Sequence, residues 1–396
     1  ILITGSAGFI GFNLAKFLLK NKKIKIIGVD NLNDYYSQSL KKNRIKFLKK
    51  FKNFSFYKID LKNKKKLNLL LKYKNISVLI HLAAQAGVRY SLIKPEEFVD
   101  NNILAFYNIV DFANKRKIRK ILYASSSSVY GDSKNFPLNE KDKINPKNIY
   151  GLSKKINEEM ADVFSKQFNI CFVGLRFFTL FGEWGRPDMF MIKYLKSSFF
   201  KKEKFYLNNY GHHTRDFTYV KDACELIKKL IYKKKELGNN LIFNISSNRP
   251  INLSYVMKKI NTFTRKKPKM IKRSLQKADV IKTHGDNKKI LKTVGKIKGS
   301  RNHEPEILQN GNMLLALRRP NRFIEFNMTT EEIVWSWEHP NGEKELRTNR
   351  DANRLHNGNT LGTAANKIIE ISPEGQIVWQ VMTSGGTKNR RKFHKA

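Results

Sequence analysis

A phenol and an ammonium stand four residues apart at Tyr150-Gly-Leu-Ser-Lys154, a spacing that sets both on one face of a helix. A tyrosine of ordinary pKa, about 10, is a poor base at neutral pH. A lysine cation beside it would favour the phenolate and bring it toward the working range of a general base. Upstream, Ser125-Ser126-Ser127-Ser128 follows the apolar run Lys120–Tyr123. Hydroxyls at the carboxyl end of a strand sit where open α/β sheets bind ligands, and one of them can relay or orient a proton for the phenol. A Tyr-x-x-x-Lys pair alone is commonplace, and a serine run alone is a polar strand end. Together they describe a proton-transfer site.

The chain opens with a further element. Gly5-Ser-Ala-Gly8-Phe9-Ile10-Gly11 follows a short apolar strand and precedes a helical pattern. Gly5 permits the tight turn, Gly8 lets backbone approach a pyrophosphate, and Gly11 lets the helix pack on the sheet. The helix N-terminus supplies unpaired N–H groups and positive dipole to the phosphates. Asp30 ends the next strand, 19 residues after Gly11. A carboxylate there binds both ribose hydroxyls and repels a 2′-phosphate, so NAD is expected rather than NADP. Its nicotinamide, positively charged when oxidised, would add to the effect of Lys154 on the phenol, and Lys154 can hydrogen-bond the nicotinamide ribose.

Such groups need a scaffold. Ile1–Thr4, Lys25–Val29, Phe54–Ile59, Val78–His81, Lys120–Ser125 and Cys171–Arg176 read as strands, with helical patterns such as Phe9–Leu19 and Lys154–Phe168 between them. That alternation predicts an α/β fold, a Rossmann-like doubly wound parallel sheet over residues 1–180. Residues 181–298 are more mixed, with helices near Lys221–Tyr232 and Leu253–Phe263, and are expected to form a smaller α+β substrate lobe. Near residue 300 Lys gives way to Arg, and three of the four Trp (Trp335, Trp337 and Trp379) lie beyond it. Asn310-Gly311-Asn312 recurs as Asn357-Gly358-Asn359, and Ile333-Val334-Trp335 as Ile377-Val378-Trp379, 47 and 44 positions later. That period predicts two β-propeller-like repeats over 299–396, too few to close a propeller.

Composition narrows the function class. The chain has 396 residues and a net charge of +44, which ordinarily suggests nucleic acid. Residues 1–300 carry +41 of it, but in scattered lysine runs such as Lys64-Lys65-Lys66 rather than on one organised face. No specific nucleic-acid partner is expected. No stretch nears the ~18 apolar residues of a membrane span, so no membrane partner is expected. Cys171 and Cys224 give neither metal spacing nor a disulfide framework, so no metal is expected; both read as small buried hydrophobes in a reducing, cytoplasmic protein. The chain begins in a strand with no initiator Met, and a residue or two is expected upstream.

The glycine turn, Asp30, Ser127-Ser128-Val129-Tyr130-Gly131 and Tyr150/Lys154 resemble the extended short-chain dehydrogenase/reductase family. Val29–Tyr36, His81–Ser91, Arg176–Thr179, Trp184–Met189 and Arg215–Val220 are similar to UDP-glucuronate 4-epimerases, a likeness that runs to about Gly295. The resemblance implies an NAD-dependent isomerase that oxidises a UDP-sugar transiently at C4, with UDP-glucuronate and UDP-galacturonate as the pair. It implies Tyr150 as general base, Lys154 as its modulator and Ser126 as relay hydroxyl, with Ser127 beside the substrate. Gly5, Gly8, Phe9, Ile10, Gly11, Asp30, Asn31, Asp60, Leu61, Ala83 and Asn102 would line the cofactor. Arg215 would grip the diphosphate, for which a guanidinium fork is well shaped. Asp279 matches the aspartate of the family's Pro-Gly-Asp-Val, although here the run reads Lys277-Ala278-Asp279-Val280. Thr179 and Arg186 are candidates for the sugar carboxylate, and Arg186 equally reads as a loop-stabilising ion-pair partner. The family also implies a homodimer through helices near Phe98–Asn114 and Lys154–Phe168.

Three other readings are weighed against this one. Dehydratases and decarboxylases of the superfamily place an acid beside the relay hydroxyl, where this chain has only serine. A UDP-glucose/UDP-galactose 4-epimerase is the nearest alternative. A reading of another class is an inactive or partly folded fusion of an epimerase fragment with a β-propeller fragment: the family continues after Gly295 through a final helix, whereas this chain turns to segments resembling arylsulfotransferase-like propeller blades. His303 stands where that family has a catalytic His, Arg350 takes the place in the second copy, and no sulfotransferase activity is assigned.

Overall fold

The computed structural model describes residues 1–73, 75–200, 203–233 and 240–295, and beyond them 306–308, 310, 312–318, 321–327, 330, 332–342, 351–364 and 367–382. The chain divides into two compact units, Ile1–Ile297 and Lys298–Ala396.

In the first unit the strands are β1 (Leu2–Thr4), β2 (Ile26–Asp30), β3 (Phe54–Lys58), β4 (Leu79–His81), β5 (Lys120–Ser126) and β6 (Cys171–Phe177). After them come β7 (Thr179–Phe181), β8 (Phe205–Asn208), β9 (Thr214–Tyr219), β10 (Asn240–Ile245), β11 (Pro250–Asn252) and β12 (Met270–Arg273). The main sheet runs β10-β6-β5-β4-β1-β2-β3, and every pairing in it is parallel. Its central strands are apolar on both faces, as a sheet covered on both sides requires. Ile3, Ile80, Leu122 and Val173 belong to one core; Leu2, Leu79, Ile121 and Phe172 belong to the other. Residues beyond 180 supply the seventh strand, β10, so the main sheet outruns the expected lobe boundary.

The helices that matter for the site are α1 (Phe9–Leu19), α2 (Gln38–Leu48), α3 (Ala105–Lys115), α4 (Ile149–Phe168), α5 (Phe190–Phe199), α6 (Val220–Tyr232), α7 (Leu253–Thr264) and α8 (Lys288–Val294). A π-helical turn, Val99–Leu104, leads into α3. The strand order reverses between β1 and β4, and the crevice at that switch point is where doubly wound sheets bind ligands. Helix α4 starts five residues before the Lys154 expected from the apolar pattern. Asn148 caps it, its Oδ1 accepting from Gly151 N at 2.9 Å, which places Tyr150 in the first turn. Cys224 is buried and Cys171 half-buried, and neither is in a disulfide.

The second unit is built of two four-stranded antiparallel meanders. One holds β13 (Glu306–Ile307), β14 (Met313–Arg318), β15 (Asn321–Phe326) and β16 (Ile333–Glu338); the other holds β17 (Asp351–Arg354), β18 (Thr360–Thr363), β19 (Lys367–Ile371) and β20 (Ile377–Met382). The sequence repeat has a structural counterpart. Glu325 Oε1 accepts from the amides of Asn310 and Asn312 at 3.0 and 2.7 Å, and Glu370 Oε1 from those of Asn357 and Asn359 at 3.2 and 2.8 Å. The described residues close no barrel. His303 and Arg350 lie outside them.

Asn148→Ala should remove the cap of α4 at a cost of about 1 kcal/mol. Thermal unfolding followed by circular dichroism should show a lowered midpoint, and Asn148→Asp, which keeps the acceptor, should restore it.

Candidate functional site

The glycine turn comes first because it shapes the crevice floor. Gly5 has φ +70°, and a Cβ there would lie 2.6 Å from Ala83 N; a Cβ on Gly11 would collide with the Gly5 carbonyl. No side chain caps α1 at Gly8, so the N–H groups of its first turn are left for a ligand. Asp30 at the end of β2 accepts from Ala7 N at 3.0 Å and from Leu32 N at 2.9 Å, and burial pushes its carboxyl pKa up. Asn31 reaches Asp60 at 3.5 Å. The Leu61 carbonyl accepts from Asn108 at 2.9 Å, and Ala83 N donates to Thr4 Oγ1 at 3.2 Å.

All these cofactor candidates line one cavity of about 1210 Å³ except Asn102. Asn102 is fully buried in the π-helical turn. Its amide brackets Gln85, accepting from the backbone N at 2.7 Å and donating to the carbonyl at 3.1 Å, and it also donates to Ser153 Oγ at 2.9 Å. Asn102 therefore ties the loop after β4 to the first turn of α4.

The same cavity takes in Ser125, Ser126, Ser127, Ser128, Tyr150 and Lys154. Tyr150 is half-buried, its ring edge-on to Phe98 at 6.0 Å. Lys154 is 1% exposed, and its Nζ has no hydrogen-bond partner among the described residues. Burial pulls its pKa down to about 8. A buried ammonium without acceptors is costly, and a ribose diol supplies the missing acceptors. The glycine cradle and this orphaned donor both fit a dinucleotide. Ser126 Oγ accepts from Ser128 N at 3.1 Å, and Ser125 Oγ donates to Glu158 Oε1 at 2.5 Å. The cavity exceeds the ~300–1,000 Å³ usual for a single small ligand, leaving room for a cofactor and a substrate together.

Positively charged side chains gather at the far end. Arg215 donates to the carbonyls of Thr214, Ile281 and Val280 at 3.0, 2.9 and 2.8 Å; burial lowers its pKa to about 10, which leaves it cationic at neutral pH. Asp279 is engaged by Arg89 through both oxygens, at 3.2 and 2.6 Å. His213 lies 3.9 Å from Asp279, and burial pulls its pKa down to about 4. Thr179 lines the cavity from β7. Arg186 lines it too, and Asp188 holds it from both oxygens at 3.0 Å. Burial works against the Arg186 charge, but Asp188 outweighs it and leaves that pKa raised. The ion-pair partner is thus Asp188, and Arg186 still lines the cavity.

Sequence reasoning passed over several residues. Arg89 lay within the His81–Ser91 run, but its partner Asp279 is 190 positions away. Glu158 had a readable signal: it extends the 150/154 face by one more helical turn. It pairs with Arg176 at 2.9 and 2.7 Å, which in turn donates to Tyr130 Oη at 2.8 Å.

A lysine whose pKa falls on folding binds fewer protons native than unfolded between about 8 and 10.5, so it weakens the fold below that window and the loss fades as pH rises through it. Lys154→Met should therefore stabilise the cofactor-free protein at pH 7 by about 3 kcal/mol and flatten the rise in stability from pH 8 to 10.5, read by denaturant melts across that range.

Comparison with known proteins gives the family. Residues 1–246 match the NAD dependent epimerase/dehydratase family. An uncharacterized protein of Methanocaldococcus jannaschii is 42% identical over 74% of this chain and 90% of its own. A UDP-glucuronate 4-epimerase of Thermodesulfobacterium geofontis is 35% identical over 77% and 91%. Among solved structures, the UDP-glucuronic acid 4-epimerase of Bacillus cereus, in complex with UDP-glucuronic acid and NAD, superposes with a TM-score of 0.69 at 28% identity, covering 74% of this chain and 92% of that one.

Proposed function

The chain belongs to the NAD dependent epimerase/dehydratase family, and from that premise we propose that it is an NAD-dependent isomerase inverting C4 of a UDP-sugar, with UDP-glucuronate and UDP-galacturonate as the pair. The observation that carries this reading is the buried, unpartnered Lys154 ammonium one helical turn from Tyr150, in the same cavity as the serine run and the glycine turn. Residues 1–180 hold the cofactor and 181–298 the nucleotide sugar. Gly5, Gly8, Phe9, Ile10 and Gly11 take the diphosphate on the N-terminus of α1, while Asp30 and Asn31 meet the adenosine ribose and Asp60 and Leu61 the adenine. Bound NAD supplies a reversible hydride acceptor for the C4–H bond.

Tyr150 Oη removes the C4 hydroxyl proton and returns it once the 4-keto ring has presented its other face. Lys154 sets positive charge beside the phenolate and holds the ribose hydroxyls with its free donors. Ser126 orients the C4 hydroxyl and Ser127 the neighbouring sugar oxygens. Arg215 places a cation at the diphosphate, and the Arg89–Asp279 pair shapes the nucleotide end. Thr179 and Arg186 meet the sugar carboxylate. Because Asp188 already compensates Arg186, the neutral UDP-glucose/UDP-galactose pair stands as the second reading.

A homodimer through the 98–114 and 154–168 helices is supported by exposed Val99, Leu104, Tyr107 and Val163 on those segments. Among the described residues no helix is long and apolar enough to cross a membrane, and two cysteines that form no disulfide, Cys171 and Cys224, fit a cytoplasmic protein. Residues 299–396 are read as two propeller-like repeats.

Proton NMR of UDP-glucuronate incubated with the protein and NAD should show the anomeric signal of the C4 epimer growing to equilibrium, with UDP-glucose turned over more slowly. Tyr150→Phe should cut the rate about 10²–10⁴-fold. Faster turnover of UDP-glucose would favour the neutral pair, and no epimer from either sugar would end the reading.

A further inference from the structure

We propose that Arg44 couples the dinucleotide crevice to the loop carrying Arg186, so that cofactor and nucleotide sugar strengthen each other's binding. The inference rests on the reading above that the crevice takes NAD and that the 184–188 loop meets the sugar. Arg44 lies on α2 with 0% exposure. Its guanidinium donates to the Ala7 carbonyl and to Tyr36 Oη at 2.7 Å each, and to the Trp184 carbonyl at 2.5 Å. Ala7 is inside the glycine turn, and its own N–H is bound by Asp30. Trp184 stands two residues before Arg186. One planar, buried group thus sets the position of the cofactor turn relative to the sugar loop, a task suited to a rigid fork of donors.

A second link runs in parallel. Tyr35, next to Tyr36, donates to Asp188 Oδ2 at 3.4 Å, and Asp188 holds Arg186 from both oxygens. The Tyr35–Tyr36 pair lines the cavity and so touches the Arg186 loop from the cofactor side. Both loops carry a non-glycine residue in the left-handed region, Leu32 at φ 56° beside Asp30 and Trp184 at φ 59°. Such conformations persist only where the surroundings over-determine them, and they cluster at ligand clamps. Leu32 N is held by Asp30 Oδ1 and the Trp184 carbonyl by Arg44. The Trp184 ring packs on Phe12 of α1 and Phe47 of α2 at centroid distances of 5.0 and 6.4 Å, the two helices that flank the glycine turn. A ligand that orders one turn orients the guanidinium for the other, and linkage makes the effect reciprocal.

Calorimetric titration of the full chain carrying Tyr150→Phe, which halts turnover, tests this. UDP-glucuronate is titrated with and without saturating NAD, and UDP, which has no glucuronyl ring to reach Arg186, serves as the control. NAD should tighten UDP-glucuronate about tenfold, within the usual range of coupling between sites, and UDP less than about twofold. Arg44→Lys keeps the charge but cannot span three acceptors, and it should bring the NAD effect on UDP-glucuronate below about twofold. Tyr35→Phe removes only the hydroxyl at Asp188 and should reduce the effect partway, which keeps the test decisive if the Arg44 variant does not fold. An NAD effect absent from the parent, equal for UDP and UDP-glucuronate, or undiminished in the variant that folds overturns the coupling. UDP-glucuronate failing to bind the NAD-loaded parent overturns instead the functional reading beneath it.

Discussion

Lys154 carries an ammonium 1% exposed and without a hydrogen-bond partner among the described residues, and the surrounding architecture exists to keep it there. In water that charge would be solvated at no cost; at the end of a parallel sheet it is stripped of water and held one turn from a phenol. Burial alone drags its pKa to about 8. His81, likewise buried on β4, has its pKa lowered to about 3, first by burial and then by the Lys154 charge. The lysine is therefore the cation of its neighbourhood, and a ligand bringing oxygen acceptors is what completes it.

Holding such a group requires a helix that cannot slide. Helix α4 is pinned at three levels along its length. Asn148 caps its start, Ser153 is gripped by Asn102, and Glu158 is locked to Arg176 and Ser125 inside the sheet. Burial opposes the Arg176 charge, yet Glu158 keeps its pKa above the ordinary value. Removing one partner from a buried pair of this kind typically costs about 3–5 kcal/mol, so the pair resists small shifts of the helix. Because Ser125 precedes Ser126, the same carboxylate registers Ser126 against Tyr150.

The substrate end follows a different principle. There the cations are already engaged: Arg215 by carbonyls, Arg89 by Asp279, and Arg186 by Asp188. Partial satisfaction holds each guanidinium in a set orientation while leaving positive charge beside the cavity. Preorganised charge of this kind suits an anionic ligand, because it does not collapse onto itself before the ligand arrives.

Local sequence determined a great deal. The glycine turn, the apolar strands, the 150/154 pair and the Asn-Gly-Asn repeat of the tail were legible because each depends on spacing within a few residues: one turn of helix, one strand, one tight turn. The α4 boundary was misplaced by five residues because the apolar pattern begins after the cap, and the polar signal at Asn148 outranks it. Only the tertiary structure decided that Asn102 faces Gln85 and Ser153 rather than the cavity, that Arg186 is paired with Asp188, and that Arg89 meets Asp279 and Arg44 meets Trp184. Side-chain orientation is set by which surfaces pack together, and partners 140 and 190 positions apart leave no periodic trace in the chain. Burial has the same origin: the displaced pKa of Lys154 comes from a sheet and two cores folding over it, which no four-residue spacing can encode.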